Sequence, residues 1–151
     1  MAVFNKLNGF VEHLAKGVHV FGTGNSDHQL KLALSNVAPT AETTPPNQTT
    51  ANCILANVTQ IGATDYNNLS TTDVTTSSAG QSSGTFRLVL SDLTLSATGT
   101  VGPFRYIYLY NDTATDDPLI GYFDYGSNLT LSNGESLTID FDQASGALTL
   151  A

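Results

Sequence analysis

The chain reads as a mainly β protein, an antiparallel β-sandwich of jelly-roll-like character with one short N-terminal helix. Three observations predict this. Charged residues make up only 12% of its 151 residues, and Thr, Ser, Asn and 13 glycines take their place, a composition suited to short strands joined by tight turns. After residue 17 no segment carries helical periodicity, whereas period-two alternation recurs through the C-terminal half. The stretch from Gly102 to Leu131 reads as a long aromatic hairpin.

The elements follow in order. Over residues 3–16, Phe4, Leu7, Val11 and Leu14 recur every three or four positions with Phe10 beside them, the apolar stripe of a helix of about three to four turns. Gly17 after Lys16 is a helix stop. A helix this short is marginal alone, so its stripe either closes one end of the sandwich or grips a partner. The chain divides accordingly into an N-terminal helical segment, 1–20, and a β-sandwich domain, 21–151.

Leu30, Leu32 and Leu34 alternate as the first strand. From Ala38 to Asn52 almost no residue is apolar and Pro45-Pro46 forbids regular ladder bonding, which predicts an exposed loop. Weaker strands are expected over 54–59 and 73–77, separated by the turn-rich Asp65 to Asn68, and Ser77 to Gly84 reads as a second loop of small residues. Phe86 to Leu90 and Leu93 to Ala97 flank the turn Ser91-Asp92, and the strands 104–110 and 119–125 follow. Asn133-Gly134 marks a tight turn of the kind that wants positive φ at both residues. Leu137, Ile139 and Phe141 then alternate inward, and Leu148 and Leu150 make a last short strand. About eight strands so arranged describe an antiparallel sandwich.

Within 104–110, Phe104, Tyr106, Tyr108 and Tyr110 alternate with Arg105, Ile107 and Leu109, and side chains two apart on a strand share a face. One face is aromatic and the other aliphatic, so both need covering, the second by a helix, a loop or another subunit. Phe104, Tyr106, Tyr108 and Tyr110, with Tyr122 on the returning strand, are candidates for a subunit interface. Phe4, Leu7, Phe10, Val11 and Leu14 are candidates for contact with a partner.

Catalytic chemistry finds no foothold. His13, His19 and His28 are spaced by six and nine, which puts no two imidazoles on one face of a regular element. Gly80-Gln81-Ser82-Ser83-Gly84 superficially matches G-x-S-x-G but sits in a polar loop before a strand, not in a strand–turn–helix elbow. Asp112, Asp116, Asp117 and Asp124 match no calcium loop and read as a solvated acidic turn around Pro118, and Ala144 and Ser145 spoil an EF-hand reading of Asp140 and Asp142. The three glutamates, 12, 42 and 135, make no glycosidase pair. Cys53 is the single cysteine, in the apolar run Cys53-Ile54-Leu55, so an intrachain disulfide is excluded and a buried thiol is expected. The expectation is a non-enzymatic protein without cofactor or metal.

Five Lys or Arg stand against thirteen Asp or Glu, a net charge of −8, and Lys6, Lys16, Lys31, Arg87 and Arg105 form no run, which argues against nucleic-acid binding. No apolar stretch approaches the ~20 residues of a membrane span, and the start carries no basic region followed by an apolar core, so synthesis in a cytoplasm is expected.

Two sets of residues resemble a known family. Phe4-Asn5-Lys6 through Phe10-Val11-Glu12 and Leu14-Ala15 to Gly17-Val18-His19 resembles the opening of small virion proteins of tailed bacteriophages. Gly102-Pro103-Phe104-Arg105-Tyr106, Leu109-Tyr110-Asn111-Asp112, Pro118-Leu119-Ile120-Gly121, Asp124-Tyr125-Gly126-Ser127 and Asn133-Gly134-Glu135 resemble the same family. The resemblance implies a capsid decoration or cement protein with a jelly-roll-like fold, bound as an oligomer, often a homotrimer, to the major capsid protein on the outer shell after synthesis in the bacterial host. It is weakest from about Ala38 to Gly84. The alternative is a tail- or fibre-associated module that binds a host glycan through its tyrosines.

Overall fold

In the computed structural model, which describes residues 2–24, 26–61 and 73–151, strand pairing organises the chain and the helix is an accessory to it. The strands are β1 (Val3–Lys6), β2 (Leu30–Ser35), β3 (Thr76–Ser82), β4 (Thr85–Leu90), β5 (Leu93–Ser96), β6 (Val101–Asn111), β7 (Leu119–Leu131), β8 (Ser136–Ile139) and β9 (Leu148–Leu150). Among the described residues the one α-helix, α1, spans Asn8–Ala15, and 3₁₀ turns lie at Thr50–Asn52 and Leu55–Asn57. All pairings are antiparallel, in a four-stranded sheet β1-β7-β6-β2, a three-stranded sheet β3-β4-β9 and a two-stranded sheet β5-β8.

The principal core lies between the aliphatic face of the large sheet and the two smaller sheets. Leu32 and Leu34 of β2, with Ile107 and Leu109 of β6, meet Leu88 and Leu90 of β4, Leu95 of β5 and Ile139 of β8, all fully buried. Their period-two spacing put them on one face, and burial of each such side chain is worth roughly 1.5–3 kcal/mol. A second, smaller core covers the opposite face of the large sheet. There Tyr106, Tyr108 and Tyr110 pack with Leu7, Ala33, Leu119, Cys53 and Val58. A loop segment of the same chain therefore supplies the covering that the two-sided strand requires.

Five segments depart from the sequence expectation. Residues 3–6 form β1, pairing Val3 to Lys6 with Asp124 to Gly121, so the helix begins only at Asn8. Helical periodicity continues back to Phe4, yet the open edge of β7 offers ladder bonds, and Phe4 settles edge-on against Phe123 with ring centroids 5.1 Å apart. The expected loop Ser77–Gly84 is instead most of β3 and the turn of its hairpin with β4. Ser83 and Gly84 both have positive φ, the geometry of the tightest hairpin turns, and β3 is a mostly exposed edge held chiefly by backbone pairing. Residues 54–59 hold a 3₁₀ turn and one isolated bridge, from Ile54 to Pro118, not a strand. The segment from Ala38 to Asn52 is not wholly exposed, because Pro39, Glu42 and Pro46 are buried. In the turn at Asn133-Gly134 only Gly134 takes positive φ. The turn expected at 65–68 lies outside the described residues.

Candidate functional site

The aromatic strand is the first place to look for a binding surface. Tyr106, Tyr108 and Tyr110 do share a face, but Phe104 does not join them: it packs in the principal core. The cause is a bulge, since Phe104 pairs with Leu129 and Tyr106 with Asp124, two steps along β6 against five along β7. The extra residues of β7 include Gly126 at φ +76°. Phe104, Tyr106, Tyr108 and Tyr110 are each under 8% exposed, and Tyr122 is half-buried with its ring 6.0 Å from Tyr106 and 5.6 Å from Tyr108. These rings meet the chain's own residues, so within one subunit they offer neither a sugar platform nor an open interface. Arg105, on the rim, donates from Nε and a terminal nitrogen to the two carboxylate oxygens of Asp124 at 2.6 and 2.9 Å. That pairing holds the Asp124 carboxyl below its usual range.

The N-terminal stripe is likewise turned inward. Leu7 and Phe10 are fully buried, and Phe4 and Leu14 pack against the principal core. Val11 alone of the five stands out, at 51% exposure. Val3 and Val20 are also exposed, so the large apolar side chains left open among the described residues all lie between residues 3 and 20.

The acidic turn around Pro118 is divided by its partners. Lys31 pairs with Asp112 at 2.6 Å and Arg105 takes Asp124, leaving Asp116 and Asp117 in left-handed backbone conformation at the tip. Among the described residues no three His, Cys, Asp or Glu side chains come together as a metal-binding group. Cys53 is fully buried, with its thiol 3.4 Å from the carbonyl of Leu119, and burial pushes its pKa up to about 11, away from nucleophilic chemistry. Glu42, also buried, accepts from the backbone N–H and the hydroxyl of Thr59 at 2.8 and 2.7 Å, which ties the loop together.

The cluster that sequence spacing did not foretell is polar and lies at the far end of β6. The linker before β2 brings His19 and His28 onto Asn111, the fully buried last residue of that strand, and α1 sets His13 beside His19. Asn111 Nδ2 lies 3.0 Å from Nδ1 of His19 and 2.8 Å from Nδ1 of His28, and its Oδ1 accepts from the N–H groups of Thr113 and Ala114. The ring of His19 stacks on Phe21 at 5.5 Å and meets His13 edge-on at 5.8 Å. Burial, followed by the nearness of His13 and His28, lowers the pKa of His19 to about 4, and burial lowers that of His13. An open cleft of about 610 Å³ adjoins the cluster, lined by His13, His28, Thr50, Thr113 and Asp116 among others. The sequence cue was slight: one Asn ending an otherwise apolar strand.

Comparison of the chain with known protein families, with curated proteins and with solved structures found no match.

Proposed function

We propose that this chain is a non-enzymatic structural protein of a bacteriophage virion, a decoration or stabilisation protein that binds the outside of the capsid shell. The observation that carries this reading is the spatial unity of the residues resembling such proteins. The opening block supplies β1 and α1, the blocks at 102–112 and 118–127 supply β6 and β7, and β1 pairs with β7 and β7 with β6. The resembling residues thus build one connected sheet with its helix, as a shared scaffold would. A net charge of −8 suits a subunit facing solvent on the shell exterior better than one lying against packaged DNA.

Under this reading the major capsid protein is the partner, the assembly is a homotrimer, and the exposed face of residues 3–20 makes the attachment. Val3, Val11 and Val20 supply apolar contact there, at roughly 25 cal/mol per Å² buried, so binding tolerates salt. The test is electron microscopy of virions carrying the labelled protein. Label spread over the capsid supports the proposal, and label confined to the tail overturns it. Val11→Asp with Val20→Asp should abolish shell binding without changing the circular dichroism of the free protein.

A further inference from the structure

We propose that Asn111 and its histidines form an acid-sensitive latch that holds the backbone around His19 and His28 against the β6–β7 loop. The orientation of the Asn111 amide is fixed by its surroundings. Its Oδ1 accepts from the backbone N–H of Thr113 at 3.1 Å and of Ala114 at 3.2 Å, and a flipped amide would set donors against donors there. The nitrogen end therefore faces the histidines and donates one hydrogen to Nδ1 of each, at 3.0 and 2.8 Å. Both imidazoles must be neutral, with their proton on Nε2.

Protonating either ring places an N–H of the imidazolium against an N–H of the amide, so the contact turns from attraction to repulsion. The surroundings give the new charge little relief. Among the described residues no carboxylate pairs with any of the three histidines. Glu12 on α1 and Lys16 just past its end act on His13 with opposite sign; Asp116 shares the open cleft with His13 and His28, and Asp73 lines a second pocket beside His28. Asp112 is taken by Lys31. The nearness of His13 and His28 further disfavours a charge on His19.

The latch has something to hold. His28 N–H donates to the carbonyl of Val20, Gln29 N–H to the hydroxyl of Thr113, and Asp112 N–H to the carbonyl of Gln29. Linker and loop are thus laced across the cluster and open together. The sign follows from linkage. His19 is held near 4 when closed and rises to about 6.5 when opened to water, so opening is favoured as pH falls from about 6.5 towards 4. Between neutral pH and pH 5 that one residue raises the opening equilibrium about 20-fold.

The experiment is nuclear magnetic resonance on the full chain. Long-range proton–nitrogen spectra at pH 7.5 should show His19 and His28 both protonated on Nε2. Hydrogen exchange at the amides of His28, Thr113 and Ala114, corrected for the intrinsic effect of pH, should rise about 20-fold or more from pH 7 to pH 5. Amides in the β6–β7 ladder at Ile107 and Phe123 should not change with them. Asn111→Asp keeps the acceptor for Thr113 and Ala114 but welcomes protonated imidazoles, so it should remove the acid-induced rise. A proton on Nδ1 of either ring at pH 7.5, unchanged exchange down to pH 5, or an Asn111→Asp variant that opens like the parent would each overturn the latch. The first two readings need no variant, so they stand even if Asn111→Asp misfolds.

Discussion

Gly9 shows how much of this fold turns on one missing carbon. A Cβ at that position would lie 2.5 Å from Cβ of Cys53 and 3.1 Å from Cα of Thr50, so glycine is what lets α1 lie against the 3₁₀ turn at Thr50–Asn52. The turn in turn carries Cys53 into the second core beneath the tyrosines. Gly9→Ala should therefore separate the two segments and cost about 1–3 kcal/mol, read as a lower urea midpoint with an unchanged slope. Tyr108 gives the opposite expectation. Its hydroxyl is buried without a hydrogen-bond partner among the described residues, and burial raises its pKa, so Tyr108→Phe removes an unmet polar group. Stability should stay within about 0.5 kcal/mol of the parent or rise, and a loss above about 1.5 kcal/mol would show that the hydroxyl is bonded. Neither residue announces its role in the sequence. Gly9 reads there as one more residue in a helical pattern, because a close approach between segments forty residues apart leaves no local trace.

The legibility of an element depends on whether its own side chains or its neighbours' backbone hold it in place. Strands β4, β5, β8 and β9 are readable because Leu88, Leu90, Leu95, Ile139 and Leu148 fall on a period-two face and each buries itself. β3 was not, since Thr76–Ser82 has no apolar period and exists by pairing with β4. β1 was hidden by a helical pattern that the edge of β7 overrides at its first four residues. The bulge that sends Phe104 to the other core was likewise invisible, because the five-residue step it needs lies on the partner strand. The placement of β1 and α1 has a measurable consequence. Deleting residues 1–17 removes an edge strand together with Leu7 and Phe10, whose burial alone is worth about 3–6 kcal/mol against a typical total of about 5–15. The truncated protein should lose its cooperative thermal transition and near-ultraviolet dichroism. A cooperatively folded truncation would mean that the N-terminal segment is an appendage after all.

Over the whole molecule, the question is what remains outside once both faces of the large sheet are covered. The expectation of a subunit interface rested on a strand apolar on both sides, and the chain meets that need with its own 38–59 segment, through Cys53, Val58 and the partly buried Ala38 and Leu55. Among the described residues, what stays open is a weakly charged, net acidic surface with three exposed valines near the N-terminus. Stable association buries about 1,200–2,000 Å² around a few large anchors, typically Trp, Tyr or Arg. Three valines do not supply such anchors, and like net charges on approaching copies add repulsion. The isolated protein should accordingly run as a monomer of 15.9 kDa in light scattering at low micromolar concentration. Trimers should then appear only where the shell arranges the copies, each gripping capsid protein through the 3–20 face, and image averaging of decorated shells would show them. A stable trimer in free solution would place its interface on polar surface instead, and Val11→Asp would then leave that trimer intact while its effect on shell binding still tests the attachment face.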